Sequence, residues 1–160
     1  IEQSGIFITS AKTSIIVVGG GVPKNSITQI SPFLKEDLVY PGIFHDFGTL
    51  VKRNSEDLGG LDYMIKISTD VAHFGGCSGA TASENLTWKK LKPGTIQEKH
   101  DVEIHTDASV VLPVLSAYAV TKIKPKTPKW TYGRLPELIN LVLEIRKKRI
   151  AAMGLKSNRD

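Results

Sequence analysis

A β-branched run that ends in three consecutive glycines constrains the fold of this chain most strongly. Residues 13–18 read Thr-Ser-Ile-Ile-Val-Val, which predicts a strand buried on both faces, as in parallel sheets. Gly19, Gly20 and Gly21 end the strand, and Pro23 suits the first turn of a following helix. A strand, a glycine turn and a helix make up the βα unit of nucleotide-binding α/β folds.

The alternation of strand and helix continues along the chain. Residues 61–68 and 102–106 predict two more strands. Helices are predicted over residues 82–88, 108–121 and 135–153. Pro113 kinks or starts the second of these helices. The order β-α-β-α-β-α, without an internal repeat, predicts a Rossmann-like, doubly wound α/β fold, with a mostly parallel sheet and helices on both faces.

The length of 160 residues predicts a single domain with enough chain to bury a core. We place this core at residues 13–123, followed by a basic linker and a C-terminal helix over residues 124–160. The inward side chains predicted for that amphipathic helix are Leu135, Ile139, Leu141, Val142 and Ile145. Residues 4–11 have weak helical character, and residues 35–60 predict a long excursion with at most one helical turn, at residues 55–58.

The charge distribution and the cysteine count restrict which cellular compartment and which binding partners we expect. Lysine and arginine concentrate at residues 122–129 and 146–149, within a net charge of +5. A solvated helix end explains these charges, so we do not expect nucleic acid, although a basic interaction module is an alternative. The single cysteine, Cys77, excludes an intrachain disulfide framework and is typical of a reducing compartment, so we expect a cytoplasmic location. No apolar run predicts a membrane span.

The triple glycine is the first candidate for a binding site. Glycines allow the backbone to approach a phosphate closely at the start of a helix. The run Gly19, Gly20 and Gly21 lacks the spacing of the G-x-G-x-x-G fingerprint. Phosphate binding and a plain structural turn therefore both stay open from the spacing.

Glu84, Trp88 and Lys90 form the second candidate, and their chemistry is that of amines. A carboxylate binds cationic amines, an indole attracts them, and a lysine can form an imine. Glu84 and Trp88 share a helix face, whereas Lys90 reaches the same site only if the helix ends near Trp88. On the pattern alone, a core tryptophan beside the surface lysines Lys89 and Lys90 is the simpler interpretation.

The remaining candidates follow the second and third strands. Asp107 stands at the predicted carboxyl end of the third strand, where it can cap a helix or bind a ligand. Asp70, His73 and Cys77 share the loop after the second strand, but their spacing matches no standard metal site, so we predict none. The strand ends at Gly19, Ser68 and Asp107 should lie along one ligand-binding edge of the sheet.

Three separated stretches, in this order, resemble the deoxyhypusine synthase family. The first is Ile-Ile-Val-Val-Gly-Gly-Gly-Val-Pro-Lys over residues 15–24. The second comprises Thr69, the run Gly-Gly-Cys-Ser-Gly-Ala-Thr over residues 75–81, and Glu84, Trp88 and Lys90. The third is His-Thr-Asp-Ala-Ser-Val-Val-Leu-Pro over residues 105–113. Together they cover about residues 15–123, which correspond to the C-terminal half of the family's domain.

The resemblance implies an NAD-dependent transfer of the 4-aminobutyl group of spermidine. It implies that Lys90 is the catalytic lysine, which carries the group as an imine to a lysine of the hypusine-carrying translation initiation factor. The residues expected to bind the polyamine are Glu84, Trp88 and Asn25. The residues expected to contact NAD are Gly19, Gly20, Gly21, Thr69, Ser78, Asp107 and Ala108. The family resemblance also implies a tetramer with active sites between paired subunits.

Departures from the family pattern keep alternatives open. Asn25 stands where the best-known members carry a histidine, Gln29 replaces an asparagine, and Lys89 replaces a glycine. The acceptor can instead be putrescine, as in homospermidine synthesis, or the chain can be a non-catalytic regulatory or scaffold subunit. Because the N-terminal half of the family domain has no counterpart here and the sequence begins at Ile1, we expect one piece of a split or cleaved enzyme, or a fragment, that needs a complementary chain.

Overall fold

A three-stranded parallel sheet forms the centre of the computed structural model, which describes residues 2–47, 58, 60–96, 98–124 and 132–154. Its strands are β1 (Ser14–Val18), β2 (Tyr63–Ile67) and β3 (Asp101–Ile104). They pair in the order β1-β2-β3, with Ile16 opposite Ile65 and Ile65 opposite Val102. The three predicted strands and the α/β class are confirmed. The described strands run in sequential order without a reversal, so the doubly wound arrangement is not confirmed.

Six α-helices accompany the sheet in the described part of the chain. They are α1 (Glu2–Thr9), α2 (Val22–Thr28), α3 (Ile30–Leu34), α4 (Ala82–Thr87), α5 (Ala108–Lys122) and α6 (Leu135–Ala152). Pro23 lies in the first turn of α2 and Pro113 lies inside α5, which begins at Ala108 rather than at the proline. The weak helical signal over residues 4–11 corresponds to the helix α1.

The core lies where α1, α3 and α6 pack together against one face of the sheet. Ile8, Leu34, Leu38 and Met64 are almost fully buried there. A further contact requires glycine, because a Cβ at Gly5 of α1 would lie 2.8 Å from the Cβ of Leu138 on α6. We call this packed region, formed by α1, α3, α6 and the residues they cover, the helical side.

Most of the inward face that was predicted for α6 is confirmed. Leu141, Val142 and Ile145 are buried, whereas Leu135 and Ile139 are only partly buried. Leu138, which was not among the predicted residues, is buried because it meets α1.

The basic end of α6 is partly neutralised by acidic side chains. Arg149 pairs with the buried Asp37, and the Nζ of Lys148 lies 3.2 Å from the carboxylate of Asp46. These pairs favour the solvated helix end over a nucleic-acid surface. The other predicted basic segment, residues 122–129, lies outside the described residues from 125 onward.

The predicted excursion over residues 35–60 contributes to the core. A π-helical turn at Lys35–Val39 and a 3-10 turn at Phe44–Phe47 supply the buried side chains of Leu38 and Phe47. The predicted turn at residues 55–58 lies outside the described residues except for Leu58, which is buried. The described part of this segment therefore contains more regular structure than the single helical turn that was predicted.

The opposite side of the molecule is open. Ile16 and Val18 of β1 are 59% and 51% exposed, so the prediction that this strand is buried on both faces is wrong. The physical reason is that the described helices α1, α3 and α6 cover only the face that carries Ile15 and Met64. None of the residues of α5 is buried. We call the exposed sheet face and α5 the open side.

No helix in the described part of the chain has the length and apolar character needed to cross a membrane.

Candidate active site

The carboxyl ends of the strands lie side by side, as predicted. The Gly19 N–H donates to the Ile67 carbonyl at 2.8 Å, and the Ser68 N–H donates to the Ile104 carbonyl at 3.0 Å. These bonds extend the parallel ladders by one residue at each strand end. The loops that follow β1, β2 and β3 therefore start from one edge of the sheet.

The three glycines of the turn after β1 are favoured there for different structural reasons. Gly19 and Gly21 have φ of 80° and 92°, a conformation that favours glycine, and no described atom lies within 4 Å of a Cβ added to either. Gly20 instead packs against the loop after β2, because its Cβ would lie 2.6 Å from the Cβ of Ser78. The turn therefore has free space beside Gly19 and Gly21 and a close contact between Gly20 and Ser78.

The loop after β2 is fixed by contacts within itself. The Ser78 hydroxyl donates a short hydrogen bond to the Asp70 carboxylate, whose other oxygen accepts from the Val71 N–H at 3.1 Å. A Cβ at Gly79 would lie 2.5 Å from the Val71 carbonyl oxygen, so the loop closes on itself only with glycine there. Asp70 has this structural role.

The end of α4 places Lys90 in the site. Thr81 caps the helix by accepting from the Glu84 N–H at 3.2 Å. Lys89 takes a left-handed conformation, with φ of 57°, and the Lys90 N–H donates to the Asn85 carbonyl at 2.8 Å. This is the geometry of a helix C-terminus that glycine usually provides. The prediction that the helix ends near Trp88 is confirmed.

Lys90 turns back into the protein. It is 8% exposed, and its carbonyl accepts from the Leu61 N–H at 2.9 Å, which ties it to the segment before β2. The Lys90 Nζ donates to the Asn25 Oδ1 at 3.1 Å. Trp88 is 60% exposed, so the simpler interpretation of a core tryptophan with two surface lysines is wrong.

A cavity of about 310 Å³ joins these side chains. It contains Lys90, Glu84, Trp88 and Asn25, the four residues assigned from the resemblance to catalysis and polyamine binding. The rest of its lining consists of Gln29, Ala72, Gly75, Gly76, Cys77, Gly79 and Ala80. A carboxylate, an indole and a lysine amine therefore share one concave site, which suits a small cationic amine.

The residues assigned to the cofactor do not line this cavity. The positions concerned are Gly19, Gly20, Gly21, Thr69, Ser78, Asp107 and Ala108. Among them, Asp107 is exposed and caps α5, since it accepts from the Ser109 N–H at 2.8 Å and from the Ser109 hydroxyl at 2.7 Å. Those hydrogen bonds hold the pKa of the Asp107 carboxyl below its usual value.

Two buried lysines were not singled out from the sequence. Lys24 is 4% exposed and donates to the Cys77 carbonyl at 2.6 Å, and Lys66 is 1% exposed and donates to the Ala80 carbonyl at 2.9 Å. Burial lowers the pKa of Lys24, and the charges of Lys66 and Lys90 lower it further. The signal for Lys66 was a charge inside an apolar strand, on the same face as Met64.

No group of three His, Cys, Asp or Glu side chains in the described ranges is arranged to hold a metal ion.

Comparison with known proteins identifies the family. The deoxyhypusine synthase family model matches residues 2–119. A deoxyhypusine synthase-like protein of Cyanothece sp. is 32% identical over 138 residues, which cover 86% of this chain and 30% of that protein. A probable deoxyhypusine synthase 2 of Archaeoglobus fulgidus is 35% identical over 115 residues, which cover 72% of this chain and 32% of that protein. The matched part is thus about a third of the length of these relatives, and this chain belongs to the deoxyhypusine synthase family.

Proposed function

We propose that this chain carries the catalytic lysine of an NAD-dependent enzyme that transfers the 4-aminobutyl group of spermidine. The observation that carries the proposal is the position of the Lys90 amine. It lies in one cavity with Glu84 and Trp88 and is held 3.1 Å from the Asn25 Oδ1. This arrangement offers a nucleophilic amine beside groups that bind cations.

Each of the four side chains has a distinct role in the proposal. The Glu84 carboxylate binds a terminal ammonium of spermidine, and the Trp88 indole stacks against the cationic chain. Asn25 orients the Lys90 amine by accepting one of its protons. Lys90 attacks the oxidised carbon of the aminobutyl unit, a C–N bond forms to its Nζ, and the C–N bond to the aminopropyl amine breaks.

The transfer to the acceptor repeats the same exchange in reverse. The acceptor amine attacks the imine carbon on Lys90, and the Lys90 Nζ leaves with a proton. The acceptor in this proposal is a lysine of the hypusine-carrying translation initiation factor. Putrescine is the alternative acceptor, and the cavity with Glu84 at one wall suits either amine.

The residues at the edge of the sheet fit NAD. Gly19 and Gly21 leave open backbone that any side chain would fill, and Asp107 is an exposed carboxylate with a lowered pKa at the end of β3. Glycine backbone suits a pyrophosphate and a carboxylate suits a ribose hydroxyl. When bound there, NAD would accept the hydride that oxidises spermidine and, as NADH, would return it to the imine formed on the acceptor, so that the reaction involves no net oxidation.

A complementary part of the family domain completes the site in this proposal. The chain matches about a third of its relatives, and its open side exposes Ile16, Val18 and Val114. An apolar surface of this kind is typical of an interface. We propose that the complementary part, in a tetramer housed in the cytoplasm, covers it.

Reductive trapping tests the proposed function. The chain is incubated with spermidine, NAD and the complementary part of the domain, then treated with borohydride and digested for mass spectrometry. We expect a butylamine adduct on Lys90 and none on the adjacent Lys89, which serves as the internal control. The Lys90→Ala variant should give no adduct.

The same experiment separates the alternatives. An unmodified Lys90 in the presence of the complementary part would contradict the catalytic proposal and favour a regulatory or scaffold subunit. If the adduct forms, adding either the initiation factor or putrescine shows which amine discharges it.

A further inference from the structure

The helix α2 contacts two walls of the Lys90 cavity through consecutive residues. Asn25 accepts from the Lys90 Nζ at 3.1 Å. Lys24, the residue before it, donates to the Cys77 carbonyl at 2.6 Å. Cys77 belongs to residues 75–80, here called the glycine loop, all of which except Ser78 line the same cavity. The helix therefore sets the spacing between the glycine loop and the Lys90 amine.

Contacts within the loop after β2 shape the glycine loop, but they do not attach it to α2 or to β2. It contains Gly75, Gly76 and Gly79, and Gly75 has a left-handed φ of 69°. Two of its backbone hydrogen bonds join residues three apart in the sequence. The Gly75 N–H donates to the Ala72 carbonyl at 3.0 Å, and the Gly79 N–H donates to the Gly76 carbonyl at 2.9 Å. Because glycine loses more backbone entropy on ordering than other residues do, such a loop needs external contacts.

Two buried ammonium groups provide these contacts. Lys24 holds the Cys77 carbonyl from α2, and Lys66 holds the Ala80 carbonyl from β2. Hydrogen bonds from charged donors are about twice as strong as neutral ones. The loop is thus attached to the helix at its middle and to the central strand at its end.

Lys24 is the less compensated of the two lysines. The Lys66 Nζ lies 3.6 Å from the Glu103 carboxylate. Among the described residues no carboxylate lies within ion-pair distance of Lys24, whose hydrogen-bond acceptor, the Cys77 carbonyl, is neutral. Burying a charge without a counter-ion costs stability, and a methionine would fill the same space without that cost.

We propose that Lys24 is a positioning residue, whose buried ammonium holds the glycine loop at the distance from Lys90 that the reaction requires. This proposal rests on the proposed function, which makes the Lys90 cavity the reaction site. The charged groups that face Lys24 are Lys66 on β2, Glu103 on β3, Glu84 on α4 and Lys90 after α4. Since α2 also carries Asn25, one helix contacts both the glycine loop and Lys90.

Hydrogen exchange tests the proposal without spermidine or NAD. The Gly75 and Gly79 amides are followed in the full chain for wild type, Lys24→Met and Lys24→Arg. We expect exchange at these amides to rise about tenfold in Lys24→Met, because a charge-assisted hydrogen bond is lost. Lys24→Arg keeps the charge and should restore most of the protection. Lys147→Met, at an exposed lysine of α6, is the matched control.

Two results with folded Lys24→Met would overturn the proposal. One is an exchange rate at Gly79 within about twofold of wild type, which is less than the loss of such a bond predicts. The other is an equal rise at the α6 amides, which would show only a general loss of stability.

A pH series on wild type decides the matter if Lys24→Met does not fold. The measured quantity is the ratio of exchange at Gly79 to exchange at the buried α6 residue Val142. Because the pKa of Lys24 is lowered, we expect this ratio to rise as the pH approaches 10.5. A constant ratio would overturn the proposal.

The two proposals can fail separately. Loss of loop protection in Lys24→Met supports the attachment of the glycine loop by Lys24 even if borohydride traps no adduct on Lys90, in which case only the link to the reaction fails. An adduct on Lys90 with an unchanged glycine loop supports the proposed function alone.

Discussion

The helical side and the open side of this molecule bury their apolar residues very differently. On the helical side, Ile8, Leu34 and Leu38 are at most 1% exposed. On the open side, Val110, Val114 and Tyr118 are each more than 60% exposed and recur every fourth residue of α5, so they form one stripe. The described residues of the helical side form a packed core, whereas those of the open side leave apolar side chains exposed.

The candidate site combines residues held by buried contacts with residues of the open side. Asn25 and Lys90 are held by buried contacts, whereas Asp107 and Ala108 begin α5, whose residues are not buried. The lysine cavity is therefore formed by this chain, while the edge proposed for NAD depends on what covers the open side. The proposed catalytic function therefore depends mainly on this chain, whereas the proposed cofactor function also depends on the part of the domain that covers the open side.

The largest effect that tests the comparison is the loss of a core side chain. Leu38→Ala should lower the free energy of unfolding by about 2–5 kcal/mol, because it leaves a cavity in the packed helical side. The matched control, Val120→Ala on α5, is 80% exposed and should change it by less than about 0.5 kcal/mol. Urea denaturation measures both. Equal losses would show that α5 is packed and would contradict the difference in burial between the two sides.

The next effect concerns the apolar stripe itself. The double variant Val114→Ser and Tyr118→Ser removes two members of the stripe, so binding of the dye ANS should fall by roughly half, since binding follows exposed apolar area. The urea midpoint should stay near that of wild type. If the dye signal is unchanged, the stripe is not the exposed surface that the comparison requires.

Lys24→Met should raise the free energy of unfolding by about 1 kcal/mol at neutral pH, because it removes a buried charge on α2. The pKa of Lys24 is lowered when folded, so the unfolded chain binds more protons between that pKa and 10.5. Wild-type stability therefore rises with pH in this window, and the advantage of the variant should shrink.

Thermal unfolding at a series of pH values measures this change, with Lys147→Met as the control for loss of a surface charge. An advantage that stays constant from neutral pH to 10.5 would contradict the lowered pKa. A variant that is less stable at every pH would show that the bond to the Cys77 carbonyl outweighs the cost of burial.

The smallest effect is expected at Asn85, which is 1% exposed and whose side-chain amide has no hydrogen-bond partner in the described residues. Asn85→Ala should raise stability by up to about 1 kcal/mol, because it removes an unsatisfied buried group and improves helix propensity. Calorimetry measures the change. A clear loss of stability would mean that the amide has a partner, such as a buried water.

Much of the fold could be predicted because its signals are local. The β-branched run, the triple glycine and the proline of α2 correctly placed a strand, a turn and a helix. The prediction that β1 is buried on both faces was wrong because burial depends on a neighbouring layer, and the described helices cover only one face. The pattern of a strand cannot show whether that layer is present.

The candidate site divides in the same way. The family resemblance assigned Asn25, Glu84, Trp88 and Lys90, and the structure places them in one cavity. The pattern alone favoured a surface lysine, because nothing in the sequence showed that Lys89 would adopt a left-handed conformation. Lys24 was missed since its burial arises from contacts with residues more than 50 positions away in the chain.

The sequence by itself determined the order of the strands and helices, the glycine turns and the family of this protein, because hydrophobic period, turn chemistry and motif order are written along the chain. Only the tertiary structure shows how Lys90 reaches the cavity, which two buried lysines bind the glycine loop, and which apolar face the described residues leave open. Those outcomes depend on contacts between distant segments, such as Lys24 with Cys77 and Lys90 with Asn25, and no local pattern encodes them.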